Sequence, residues 1–286
     1  MADKPSRPSR WRRRLGILGG AYIVFAMLAF FGGCADRLIL FPQTGDAKPL
    51  GVRPHELPFE DGRLQVWIAD APRGQEPQAF VLSFNGNADR AERAIVHEAL
   101  LWNAHPVEVW AVNYPGYGGS TGPAKLARLG PAGLVAYDAL KQHAGDRPIF
   151  VAGNSLGTAV ALHVATQRDV AGAVLVNPPP LRQLILGRWG WWNLWLIAGP
   201  IAMAVPSDLN SVANARQATA PAVFTLSTLD SVVPYKWQKM VHQAYAGPTQ
   251  TFTQDANHND PLTTEGERTL RQHIAWLYTQ ATAGRE

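Results

Sequence analysis

The sequence predicts an α/β fold, a mostly parallel, doubly wound sheet with helices on both faces, preceded by an N-terminal apolar segment. Short, continuously apolar, β-rich runs recur along the chain, and segments with helical apolar spacing separate them. The 286 residues are 47% apolar and 17% charged, a globular composition that excludes collagen-like, disordered and disulfide-scaffold chains. Continuously apolar strands are those buried on both faces, which favours a parallel sheet over a half-exposed antiparallel one.

The first fourteen residues carry Lys4, Arg7, Arg10, Arg12, Arg13 and Arg14 against Asp3 alone, so they hold all of the formal net charge of +4 and leave the body slightly negative. No basic face for nucleic acid is implied. Leu15 to Gly33 contains no charged residue, and its length as a helix is about 28 Å, enough to cross a hydrocarbon core. The arginines on its amino side place the rest of the chain on the extracytoplasmic side of a membrane. Phe31-Gly32-Gly33-Cys34 sets small residues before the only cysteine, as bacterial lipoboxes do. Residues 1–35 therefore read as a basic tail with a signal anchor, or as a lipoprotein signal with Cys34 as the lipidation site. The arginine cluster lacks the fuller pattern of a twin-arginine signal.

Residues 36–286 form one domain. Its expected strands are Leu64–Ala69, Ala79–Phe84, Val107–Val112, Ile149–Ala152, Ala173–Asn177, Ala222–Ser227 and Gln250–Thr253. Its expected helices are Arg90–Asn103, Pro131–His143 with Pro131 in the first turn, Leu156–Gln167, Tyr235–Ala246 and Glu265–Thr279. Pro178 to Ser207 interrupts the alternation, and its density of tryptophan beside proline and glycine reads as a lid or lipid-facing insertion rather than plain core. Trp191, Trp192 and Trp195 are its candidate substrate-binding residues.

Gly153-Asn154-Ser155-Leu156-Gly157 follows one expected strand and opens a helix, the strand–turn–helix setting of a nucleophile elbow. Side chains at 153 or 157 would strike the adjoining strand and helix, hence the glycines. A serine hydroxyl needs an imidazole base and an acid to orient it. Asp230, just past Ala222–Ser227, and His258, in the polar loop 255–260, supply them in the order Ser…Asp…His. His97, His143, His163, His242 and His273 fall within or at the ends of expected helices, and His55 and His105 precede the other two sites. Asp260 is the competing acid and reads as a turn residue. The oxyanion donors expected here are the backbone N–H of Leu156 and, from the loop Phe84-Asn85-Gly86-Asn87-Ala88-Asp89, that of Asn87.

With these residues placed, the chain resembles the α/β-hydrolase superfamily over nearly all of residues 36–286. More narrowly it is similar to the membrane-associated serine hydrolases that include relatives of protein depalmitoylases. Arg37-Leu38-Ile39-Leu40-Phe41-Pro42, Asn113-Tyr114-Pro115-Gly116-Tyr117-Gly118-Gly119-Ser120 and His258-Asn259-Asp260 carry that likeness. The branch usually has His-Gly-Asn-Ala where this chain has Asn85-Gly86-Asn87-Ala88, and often Arg in place of Pro115. The resemblance implies a serine hydrolase acting on small-molecule or lipid esters or thioesters. Peptidase or amidase activity on the same fold, and a non-catalytic envelope binding protein, are the alternatives. No metal-ligand spacing is present and no cofactor is called for.

Overall fold

A computed structural model describes residues 10–31, 33–45, 49–193 and 195–283. Its centre is an eight-stranded sheet in the order β1-β2-β4-β3-β5-β6-β7-β8. The strands are β1 (Arg53–Phe59), β2 (Gly62–Ala69), β3 (Ala79–Phe84), β4 (Val107–Val112), β5 (Ile149–Asn154), β6 (Gly172–Val176), β7 (Ala222–Ser227) and β8 (Thr249–Gln254). From β4 across to β8 every pairing is parallel, while β1, β2 and β4 pair antiparallel at one edge.

Alternate residues of the parallel strands feed two cores. Leu82, Phe84, Val151, Leu175 and Phe224 face a layer that includes α4 (Leu126–Ala144) and α5 (Leu156–Gln167). Val81, Phe150, Ala152, Val174 and Val223 face α3 (Ala91–Trp102) and α10 (Thr264–Thr282). Burial on both sides is why β3, β4 and β7 are mostly apolar along their whole length, with Ser83, Glu108, Thr225 and Ser227 as their buried polar members.

Strand β1 was not expected from the sequence. It carries Pro54 and Pro58 and is exposed over its first four residues, which suits an edge strand, where a missing N–H costs no ladder bond. Helix α4 begins five residues before Pro131, which therefore sits inside the helix rather than in its first turn. Burial of Leu126 and Leu129 holds this earlier start despite the forfeited backbone bond.

At the amino end, α1 (Arg10–Phe31) precedes α2 (Cys34–Ile39). Among the described residues no helix is long and apolar enough to cross a membrane. Arg12 to Arg14 occupy the first turns of α1, and Gly32, part of the expected spanning run, lies outside the described residues, as do Lys4 and Arg7. Tyr22, Ile23, Ala26 and Met27 of α1 lie against Gly199, Pro200 and Met203 of α7 (Ala198–Met203). Helix α2 and the residue after it are fixed to the body, since Asp36 accepts the Leu126 N–H at 2.8 Å and Leu40 is buried in the core.

The Trp-rich insertion is built from α6 (Leu181–Trp189), a short 3-10 turn and α7. It is followed by α8 (Ser211–Ala215), β7 and then α9 (Tyr235–Ala244). Its aliphatic members Leu181, Ile185, Ala198, Ala202 and Val205 join the core, whereas Trp191, Trp192 and Trp195 are 70%, 59% and 51% exposed. The plain-core reading thus fails for these tryptophans and holds for the aliphatic side chains beneath them.

Candidate active site

The parallel register brings the carboxyl ends of β3, β5, β6, β7 and β8 to one edge. Phe84 lies opposite Gly153, Asn154 opposite Val176, and Ser227 opposite Gln254. Ser155 stands between β5 and α5 with φ 50° and ψ −120°, a left-handed conformation that non-glycine residues adopt at a cost and that is typical of functional turns. The turn is tight enough to dictate both flanking glycines. A Cβ at 157 would lie 2.0 Å from the Phe84 carbonyl oxygen, and one at 153 would lie 2.6 Å from the Gly157 carbonyl.

His258 reaches back across 103 positions of chain to place Nε2 2.9 Å from Ser155 Oγ. Its Nδ1 lies 2.6 Å from Asp230 Oδ2, and the Asp230 side chain is wholly buried. Asp230 follows β7 in a turn whose backbone holds it, because the N–H groups of Val232 and Val233 donate to Oδ1 at 2.8 and 2.7 Å. Gln238 Nε2 adds a bond to Oδ2 at 3.0 Å. A carboxylate so surrounded by donors is an acceptor only, so the imidazole proton lies on Nδ1 and the Nε2 lone pair faces the serine hydroxyl. Such a chain can take a proton from Ser155 as its oxygen attacks a carbonyl carbon and return it to a leaving group.

Gln238 was missed from the sequence. Fully buried on α9, it also accepts the Ser227 N–H at 2.9 Å and donates to the Val233 carbonyl at 2.7 Å. Asn257 is a second positioning residue, its Oδ1 accepting from the N–H groups of Ser231 and His258. Asp260 accepts the Asn257 N–H at 2.7 Å, which is the turn role expected of it.

The loop after β3 runs over Ser155, since a Cβ at Gly86 would sit 3.7 Å from Ser155 Cβ. This sets Gly86, the residue before Asn87, beside the residue that precedes α5. The Asn87 side chain does not point at the site but clamps its loop. Its Oδ1 accepts from the Phe41 N–H and the Tyr117 hydroxyl, both at 2.9 Å, and its Nδ2 donates to the Ile39 carbonyl. Burial pushes the Tyr117 phenol up to about 12, so it donates throughout the neutral range. The clamp ties the loop after β3 to the segment that leads out of α2.

Trp191, Trp192 and Trp195 stand apart from the cavity that borders His258, none of them lining it. Trp195 turns back to donate its indole N–H to the Leu186 carbonyl at 3.2 Å. The side chain of Cys34, at the start of α2, lies outside the described residues. Among the described residues no cluster of His, Cys, Asp and Glu has the geometry to hold a metal ion.

Residues 94–281 match the Alpha/beta hydrolase family. An uncharacterized protein of Mycobacterium tuberculosis is 28% identical over 92% of this chain and 94% of its own length. The lysophosphatidylserine lipase ABHD12 of Rattus norvegicus is 24% identical over 67% of this chain, which spans half of that lipase. Among solved structures, the Est1E protein of Butyrivibrio proteoclasticus with bound ferulic acid superposes with a TM-score of 0.66 at 16% identity, over 79% of this chain and 99% of that one. The Pyrococcus furiosus esterase Pf2001 gives 0.65 at 14% identity, over 86% and 98%. At those identities the likeness is one of fold.

Proposed function

The chain belongs to the alpha/beta hydrolase family, and from that premise we propose that it is a membrane-tethered serine hydrolase cleaving carboxylic esters or thioesters. The observation that carries this reading is the continuous hydrogen-bonded path from Ser155 through His258 to Asp230. Ser155 Oγ attacks the acyl carbonyl while its proton passes to His258 Nε2. Asp230 holds the imidazolium that forms, and the N–H groups of Asn87 and Leu156 bind the oxyanion. Collapse breaks the bond to the alcohol or thiol, which leaves with the proton from Nε2. Water, deprotonated by the same nitrogen, then releases the acid and restores Ser155.

The tether in this proposal is the amino-terminal segment of residues 1–35, as an anchor or through lipidation, with the domain on the extracytoplasmic side. Exposed Ile17, Leu18, Val24 and Leu28 support it, as apolar side chains left open to the surroundings. Cys34 is the residue that lipidation would modify. Exposed Trp191, Trp192 and Trp195 support contact with apolar acyl groups presented at a lipid surface. The lipase named among the relatives and the narrower likeness to depalmitoylase relatives both fit acyl transfer from lipid-like substrates.

The test is a panel of p-nitrophenyl esters and a matched thioester and amide. Ester or thioester hydrolysis should be lost on Ser155→Ala and fall by orders of magnitude on His258→Ala. Turnover of the amide alone would instead assign an amidase.

A further inference from the structure

The Trp-rich insertion, α9 and the turn that carries Asp230 meet at the last turn of α6. Gly187 of α6 is seated on the Trp237 ring of α9, where an added Cβ would lie 2.3 Å from it. Arg188 donates to the carbonyls of Ser231 and Val232, and the Trp195 indole donates to that of Leu186. Three elements far apart in sequence are thereby locked into one surface. Besides Trp191, Trp192 and Trp195, its exposed apolar side chains include Leu196 and Met203 of the insertion, and Leu229 and Val232, which flank Asp230 at 65% and 48% exposure. Apolar exposure on that scale marks a contact surface.

The charge of these elements has one sign. Residues 178–249 hold five Arg and Lys against two acids. Of those acids, Asp230 is buried in the catalytic site and Asp208 is turned inward, towards Gly130 of α4 and His163 of α5. Among the described residues Arg188, Lys236 and Lys239 are paired with no carboxylate and stand by aromatic rings instead, 5.6 Å from the centre of Trp189, 5.1 Å from that of Trp237 and 5.7 Å from that of Tyr235. A ring holds a cation without neutralising it. The next acids along the catalytic edge, Asp255 and Asp260, belong to the loop after β8, where they bond to the Thr228 hydroxyl and the Asn257 N–H, and they bound the basic surface on that side.

Indoles beside aliphatic side chains and unneutralised cations match a phospholipid leaflet with anionic headgroups. The indole prefers the boundary between headgroup and hydrocarbon, and Lys and Arg meet the phosphates. We propose that this surface docks on an anionic phospholipid leaflet, with the indoles at the headgroup boundary, Lys236 and Lys239 on the phosphates, and the turn that carries Asp230 against the lipid. The proposal rests on the tethered reading above and adds to it a second contact, a lipid charge and an orientation. Helix α1 lies against α7, so the tether reaches the domain beside this same surface. A hydrolase held this way meets its ester at the leaflet rather than in bulk water.

The test reconstitutes the full chain in vesicles of phosphatidylcholine alone or with about one third phosphatidylglycerol, and reads the quenching of tryptophan fluorescence by phosphatidylcholine brominated on its acyl chains. Quenching should be stronger with phosphatidylglycerol, and high salt should remove the difference. Trp191→Phe, Trp192→Phe and Trp195→Phe combined should abolish most of that difference. Lys236→Gln with Lys239→Gln should cut it at least about twofold, while hydrolysis of soluble p-nitrophenyl butyrate stays within about twofold of the parent's. Should the tryptophan variant fail to fold, the lysine pair alone decides. Equal quenching with both lipids, or a difference unchanged in the lysine variant, overturns the proposal. A chain that floats with the vesicles without quenching overturns it and leaves the tether standing, and a chain that stays in the aqueous fraction with either lipid overturns both. A dimer in detergent that the tryptophan variant loses, together with absent quenching, assigns the surface to a second copy of the chain instead. Quenching needs no turnover, so an inactive protein that shows the expected pattern overturns the esterase reading alone.

Discussion

Replacing Gln238 by Met keeps the volume of a fully buried side chain and removes all of its polar contacts. The change strips Asp230 Oδ2 of a donor at 3.0 Å and leaves the Ser227 N–H, now bonded at 2.9 Å, without that acceptor. The bond to a carboxylate and the buried unpaired N–H together contribute about 3–4 kcal/mol, which in a domain of this size lowers Tm by roughly 6–16 °C. Asp230 keeps its two backbone donors, so the site persists but holds the imidazole less firmly. We expect kcat on a p-nitrophenyl ester to fall about tenfold with KM within about twofold. Gln238→Glu separates the two effects, because its carboxylate still accepts the Ser227 N–H but meets Asp230 Oδ2. Two carboxylates that close cannot both ionise, so one carboxyl is raised. Below that raised value the protonated Glu donates to Asp230 and activity approaches the parent's; as pH rises through it, activity is lost. Thermal denaturation and a kcat–pH profile read both variants. An unchanged Tm and kcat in Gln238→Met would refute the assignment of Gln238 as the residue that positions Asp230.

Asn87→Ala retains the backbone N–H proposed for the oxyanion but cuts the clamp to Ile39, Phe41 and Tyr117; kcat should drop about tenfold to a hundredfold with little change in KM, read by steady-state kinetics. Trp191→Ala, Trp192→Ala and Trp195→Ala combined should flatten the rise of activity with acyl length, about 0.8 kcal/mol per methylene in the parent, while acetate-ester turnover persists. Intact mass of the chain from a bacterial membrane fraction should show a lipidated product beginning at Cys34 that Cys34→Ala abolishes, or else an unprocessed amino terminus that the substitution leaves alone.

What was legible in the sequence follows how local the causes are. Gly153 to Gly157 states its geometry within five residues, because the turn forces Gly153 and its close approach to the end of β3 forces Gly157. The parallel strands were legible because burial on both faces leaves an apolar run, whereas β1, half exposed at an edge with two prolines, carries no such mark. Asp230 and His258 could be found from their positions past strand ends, since the register of a parallel sheet brings those ends together. Gln238 could not, because its role depends on the rotation of α9 towards the turn after β7. In the Trp-rich insertion, apolar composition was legible but not the partition between aliphatic side chains that pack and indoles that face outward.

Covalent labelling at Ser155 tests the central claim most directly. A fluorophosphonate probe followed by peptide mass analysis should place one adduct on the peptide containing Ser155, and the adduct should be absent from Ser155→Ala and slow to form in His258→Ala. Stoichiometric labelling that survives Ser155→Ala, or an unmodified Ser155 in folded protein at saturating probe, would contradict it.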